Sequence, residues 1–176
     1  MSRLVEQLRE ALDALSECDP PPALIGGLAL AAHGVVRATQ DVDLLIDAAD
    51  ADRAHTKLQS LGYDCIHRSV EAANYERVDE GLDLLYAHRS AARHILAGAE
   101  LRDTPLGELR VVSAEGLIAF KLQSYCNDPD RARDLEDMRS LLHANRDSLN
   151  MQRVRDYFIL FERESLLDDL LAALET

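Results

Sequence analysis

Residues 25–46 read IGGLALAAHGVVRATQDVDLLI, and the fold turns on how the end of this stretch is placed. Val42, Leu44, Leu45 and Ile46 spell a buried strand, yet Asp41 and Asp43 stand two apart within it. Residues two apart on a strand point the same way, with Cα atoms about 6.5 Å apart. A carboxylate turned toward a core is costly unless something pairs with it. Two of them presented to one place, with Val42 on the other face, suit magnesium, which prefers oxygen ligands and keeps waters and substrate phosphates. A pair of such ions about 3.5–4 Å apart can activate an attacking hydroxyl and stabilise a leaving pyrophosphate. A third carboxylate from a neighbouring strand would complete the set. Asp83, in GLDLLYA, has the right apolar neighbours, although an acid beside Gly81 also fits the end of a hairpin.

Upstream, Gly26-Gly27 follows the short apolar piece ALI and opens a small-residue helix that Gly34 can end. Backbone N–H groups free of side chains at such a start suit phosphate; a plain tight turn is the other reading. His33 fits a helix end better than a base, and the remaining histidines show no ligand spacing.

The rest of the chain sets the frame. Its 176 residues fit one domain, or a main domain with a small addition. With 47% hydrophobic and 29% charged residues it has the composition of a globular protein. Nineteen basic residues against 32 acidic ones leave a net charge of −13, which argues against broad coating of nucleic acid. A local arginine patch (Arg131, Arg133, Arg139) or a bound cation would change the sign locally. Lys57 and Lys121 are the only lysines. Three cysteines, Cys18, Cys65 and Cys126, lie far apart without a CxxC and read as reduced buried thiols. No signal peptide and no apolar run of about 20 residues is present, so a cytoplasmic protein without a membrane segment is expected.

Leu4, Val5, Leu8, Leu12 and Leu15 predict an amphipathic helix over 2–17, stopped by Pro20–Pro22. The segment TQDVDLLID reads as a strand, and 49–61 as a helix. YDCIH, NYERV and LDLLYA read as strands, the last two joined by a turn at Asp79-Glu80-Gly81. Beyond Ser90 the pattern is mainly helical: a short helix at 91–96, an irregular or hairpin stretch LRDTPLGELRVV, then a helix capped by Ser113. Another helix starts at Asp130, and two more close the chain. The expected class is α/β (α+β), a small mixed sheet flanked by helices over 1–110. A helical region over 111–176 is expected to pack on it.

GGLALAAHGVVRATQDVDLLI, a glycine pair, a short helix and then Asp-x-Asp on a strand, resembles the signature of the nucleotidyltransferase (DNA polymerase β-like) superfamily. The spelling Arg37-Ala-Thr39-Gln-Asp41-Val-Asp43 is most similar to the AbiEii-like branch, abortive-infection nucleotidyltransferases found as toxins of toxin–antitoxin pairs. VVSAEGLIAFKLQSY resembles that branch's lysine-bearing helix, and RARDLEDMRSLL its Arg-x-x-Asp-x-x-Asp helix. The likeness spans about residues 24–143. It implies Gly26 and Gly27 at the triphosphate, and Asp41, Asp43 and Asp83 as ligands of two Mg²⁺ ions, with Mn²⁺ as a substitute. It also implies Lys121 on phosphate and Asp134 as a further site acid, a place Asp137 could take instead. Arg37 and Thr39 would shape the strand entrance or touch phosphate. Many relatives have Gly-Ser where this chain has Gly26-Gly27.

Each residue has a plainer reading as well. Lys121 could snorkel from an apolar helix face, Asp134 could pair with Arg131 three residues before it, and Arg37 could simply pair with an aspartate. The expected activity is transfer of a nucleoside monophosphate from an NTP to an acceptor hydroxyl. The acceptor would be tRNA or another RNA end, a protein, or a small molecule, with a cognate antitoxin as a further partner. A non-catalytic binding or antitoxin module of the same fold is the alternative.

Overall fold

The computed structural model describes residues 3–174. The chain divides into two compact units: one comprises the chain up to Ala32 together with Arg37–Val112, the other His33–Val36 together with the chain from Ser113.

The first unit opens with helix α1 (Arg3–Ala14), whose Val5, Leu8 and Ala11 are buried at helical spacing. It then runs β1 (Ala23–Leu24), α2 (Gly26–Ala32), β2 (Val42–Asp47), a 3₁₀ turn (Ala48–Asp50) and α3 (Ala51–Ser60). Strands β3 (Asp64–Arg68), β4 (Ala72–Glu76) and β5 (Gly81–Ala87) follow, then α4 (Ser90–Ala97), β6 (Glu100–Thr104) and β7 (Gly107–Val111). The seven strands form one mixed sheet in the order β3-β4-β5-β2-β1-β7-β6. The α/β class expected above, a mixed sheet flanked by helices, is the class observed.

Two local expectations change. Strand β2 begins at Val42, so Asp41 stands just ahead of it. The stretch 100–111 is a regular hairpin joined to the sheet through a parallel pairing of Leu24 with Val111. The mainly helical pattern therefore starts only after Val112.

Strand β2 sits centrally, antiparallel to β1 and parallel to β5, with Val42 opposite Leu82 and Asp43 opposite Asp83. One face of these strands carries Val42, Leu44, Ile46, Leu82 and Leu84, none of them exposed. Tyr75 of β4 lies on the same face, and its hydroxyl meets His55 Nδ1 of α3 at 3.1 Å. Burying one such side chain is worth about 1.5–3 kcal/mol, so this face anchors the sheet. The opposite face carries Asp43, Asp83 and Asn74, all half-buried. The pleat thus sorts apolar residues to one side and the candidate chemistry to the other.

In the second unit, α5 (Ala114–Asn127), α6 (Ala132–Ala144), α7 (Met151–Leu160) and α8 (Glu164–Ala172) bury Leu117, Ile118, Leu122, Met138, Leu141, Phe158 and Leu170. Ser113 caps α5 as expected, its Oγ accepting from Gly116 N at 3.2 Å. Helix α6 begins at Ala132, two residues after the expected start. Asn145 donates to the carbonyls of Leu141 and His33, each at 3.0 Å, which ties the 33–36 segment into this unit. The three cysteines are free thiols; Cys18 is buried, whereas Cys65 and Cys126 are only half-buried. No helix among the described residues is long and apolar enough to cross a membrane.

Candidate active site

Parallel pairing of β2 with β5 brings Asp43 and Asp83 side by side, because residues opposite each other in register share a face. The β4–β5 hairpin adds Asn74 opposite Asp83, and its Nδ2 donates to Asp83 Oδ1 at 2.7 Å. Asp83 is thereby fixed in place by a neutral partner. Burial pushes its carboxyl above the usual 3.8; the Asn74 hydrogen bond opposes this, and the negative charge of Asp41 adds to it.

Asp41 and Asp43 occupy different seats. A Cβ built on Gly81 would stand 2.2 Å from Asp41 Oδ1, so the Asp41 carboxylate lies against the first residue of β5. A Cβ on Gly26 would stand 1.9 Å from Asp43 Oδ2, so the Asp43 carboxylate lies against the first residue of α2. The pair leans to opposite neighbours of β2. Among the described residues no three His, Cys, Asp or Glu side chains converge as a ready-made metal cage.

The residue set nevertheless fits a hard cation. Its donors are carboxylate oxygens, and the Asp83 carboxyl is raised, by burial first and by the charge of Asp41 after it, as expected of an acid with no cation beside it among the described residues. Magnesium is commonly held by one or two carboxylates together with substrate phosphates, without a closed protein cage.

Gly26 has a left-handed φ of +62°, a second reason for glycine there besides the Asp43 carboxylate. A Cβ on Gly27 would stand 2.7 Å from both Cβ and Oγ1 of Thr39. A serine at 27 would therefore require the Thr39 side chain to move. The Thr39 hydroxyl donates to the Asp41 carbonyl at 3.4 Å, and Arg37 Nη1 to the Ala38 carbonyl at 3.4 Å, both at the outer limit of a hydrogen bond. Gly26, Gly27, Thr39, Asp41, Asp43 and Asp83 are thus brought together in the first unit.

Lys121, Asp134 and Asp137 meet in the second unit. The Lys121 ammonium lies 2.9 Å from Asp134 Oδ1 and 2.8 Å from Asp137 Oδ2, with side-chain exposures of 14%, 2% and 5%. Arg131 Nε reaches Asp134 Oδ2 at 3.0 Å, so the plainer Arg131–Asp134 pairing is present as well. Arg139 pairs with Glu136 at 3.1 Å, so two of the three patch arginines face acids of α6.

Asn74 and Gly81 were not singled out from sequence. The turn between β4 and β5 fixes the register that places 74 opposite 83, so Asn74 carried a readable signal. Gly81 carried none of its own, since a glycine after Asp79-Glu80 looks like a turn residue.

No family model and no curated protein matches the chain. Solved structures do. The solution structure of the antibiotic-resistance factor ANT(2'')-Ia matches with a TM-score of 0.64 at 21% identity, over 97% of this chain and 94% of that one. The crystal structure of ANT(2'')-Ia in complex with adenylyl-2''-tobramycin matches with a TM-score of 0.68 at 20% identity, over 92% and 98%. An antigenic nucleotidyltransferase-like protein from Paracoccidioides brasiliensis matches with a TM-score of 0.53 at 19% identity, over 98% and 94%. At these identities the likeness is one of fold, and the fold is that of nucleotidyltransferases.

Proposed function

We propose that the protein is a metal-dependent nucleotidyltransferase that moves a nucleoside monophosphate from an NTP to an acceptor hydroxyl. The observation that carries this reading is the in-register pairing of Asp43 with Asp83 on parallel strands, with the Asp41 carboxylate against Gly81, two residues before Asp83. The fold of the neighbours supports it.

In the reaction the acceptor oxygen bonds to the α-phosphorus, the bond to the bridging oxygen breaks, and pyrophosphate leaves. Bound Mg²⁺ or Mn²⁺ would supply charge neutralisation across the triphosphate and a more acidic acceptor hydroxyl. Asp41, Asp43 and Asp83 would hold it. Asp83 is placed to take the acceptor proton, because Asn74 engages only one of its two carboxylate oxygens. Asn74 keeps its Oδ1 oriented while Oδ2 remains for the proton or the ion.

For the acceptor, a cationic small molecule of aminoglycoside type fits best. A protein of net charge −13 attracts a polycation and repels RNA phosphates. The complex of ANT(2'')-Ia with adenylyl-2''-tobramycin supplies the analogy. The AbiEii-like spelling around Arg37 and Thr39 sustains a second reading, a toxin acting on RNA or protein in the cytoplasm with an antitoxin partner.

The decisive assay is pyrophosphate release with Mg²⁺, each NTP, and tobramycin, tRNA or cell protein as acceptor. Asp41→Asn with Asp43→Asn should lower release by about three orders of magnitude or more while the melting temperature holds. Undiminished release in that double variant would refute the mechanism. Nucleotide binding without release by the wild type would instead indicate the non-catalytic module.

A further inference from the structure

Gly81 stands where a hairpin turn ends, and a glycine there reads as a turn residue. The backbone contradicts that role. The left-handed positions of the turn are taken by Val78 (φ 40°) and Asp79 (φ 63°), and Gly81 is not among the glycines with positive φ. Its conformation is open to any L-residue.

What requires glycine is the residue just ahead of the neighbouring strand. A Cβ on Gly81 would stand 2.2 Å from Asp41 Oδ1, 2.9 Å from its Cγ and 3.4 Å from its Cβ. The Asp41 carboxylate fills the volume that a side chain at 81 would take. The backbone of Gly81 is itself held, since its carbonyl accepts from Gln7 Nε2 of α1 at 2.9 Å and β5 continues from it beside β2. Asp83 lies two residues further along the same face.

We propose that Gly81 is a positioning residue for the metal ligand Asp41, its missing side chain being the seat that holds this carboxylate beside Asp83. The inference rests on the nucleotidyltransferase reading. Any side chain at 81 rotates the Asp41 carboxylate out of the seat, because the obstructing atoms belong to the mobile end of an exposed residue and not to backbone. The fold then survives and the ion site is degraded.

The test is a set of Mn²⁺ titrations by electron paramagnetic resonance in the presence of α,β-methylene-ATP, which binds without turnover. They compare the wild type, Gly81→Ala, Asp41→Ala and the double variant, with thermal melts of the metal-free proteins. Gly81→Ala is expected to weaken Mn²⁺ binding about 10- to 100-fold, the range for loss of a group that orients a metal ligand. Its melting temperature should match the wild type. Because Gly81 acts through Asp41, adding Gly81→Ala to Asp41→Ala should weaken Mn²⁺ binding no further. Should Gly81→Ala instead fail to fold, the double variant, which lacks the obstructing carboxylate, should recover the fold. Unchanged Mn²⁺ affinity in Gly81→Ala beside a wild type that binds overturns this proposal alone. So do additive effects in the double variant, or a fold it does not recover. A wild type that binds no Mn²⁺ with the nucleotide overturns the nucleotidyltransferase reading and this one with it.

Discussion

Asp83 is held where its own charge is disfavoured. Its folded-state pKa lies above the usual 3.8, through burial first and Asp41 after it. A carboxyl raised in this way contributes stability below its unfolded pKa and loses that contribution as the pH rises through the folded value. Asp83→Asn should therefore melt above the wild type at pH 7 in metal-free buffer. The gap should close as the pH falls through the folded-state pKa of Asp83. An asparagine can still accept from Asn74, so the exchange isolates the charge. Thermal melts over a pH series check it, and a pH-independent difference would refute the assignment. Such tension at a carboxylate is what one expects of a group kept for chemistry, since a stability-driven choice would be neutral.

Among elements, the α5–α6 pair carries the largest concentration of buried charge among the described residues. Lys121 alone of the three is cationic, and Asp134 and Asp137 are buried beside it. Removing one member of such a set leaves uncompensated charge and costs about 3–5 kcal/mol. Lys121→Met should cost that much in urea unfolding, a large share of an ordinary domain's total stability. A lysine serving phosphate alone would lose activity with no change in unfolding. The family resemblance implied Asp134 near Lys121, with Asp137 as its alternative, and the fold sets both acids on the lysine. The sequence could not reveal that the lysine would face both acids at once. Strand β2 and its partner β5 were legible because an acid stands out in an apolar run, Asp43 in VDLLID and Asp83 in GLDLLYA. The β6–β7 hairpin was harder to place, because its link to the sheet is a pairing to a strand of only two residues, Ala23–Leu24. Two residues are too short for any periodic signal. The seats of Asp41 and Asp43 were illegible for a different reason: a glycine's meaning depends on what lies against it, which only the folded chain shows.

At the scale of the molecule, an excess of 13 negative charges sets up a field that concentrates cations near the surface. If the acceptor is a polycation such as tobramycin, its KM should rise with ionic strength, by about 3- to 10-fold between about 20 and 300 mM salt. The KM for NTP should move far less. Steady-state kinetics over a salt series checks this, and an acceptor KM that falls with salt would point to an anionic acceptor such as RNA. The seven-stranded sheet is the frame of the candidate site, with one face closed by apolar residues and the other carrying the acids.

Helix α1 lies wholly ahead of the nucleotidyltransferase-like signature, yet it reaches the strand that carries Asp83. Gln7 holds the Gly81 carbonyl, and Arg3 pairs with Glu80 at 3.0 Å. Arg77, stacked 4.4 Å from the centre of the Tyr63 ring, joins Glu10 of the same helix to Glu80. A fragment trimmed to the recognisable signature would keep every acid of the site and lose the strut that sets one of them. The folded unit that holds these acids therefore begins upstream of the motif, and a motif-based delimitation of this fold would cut through it.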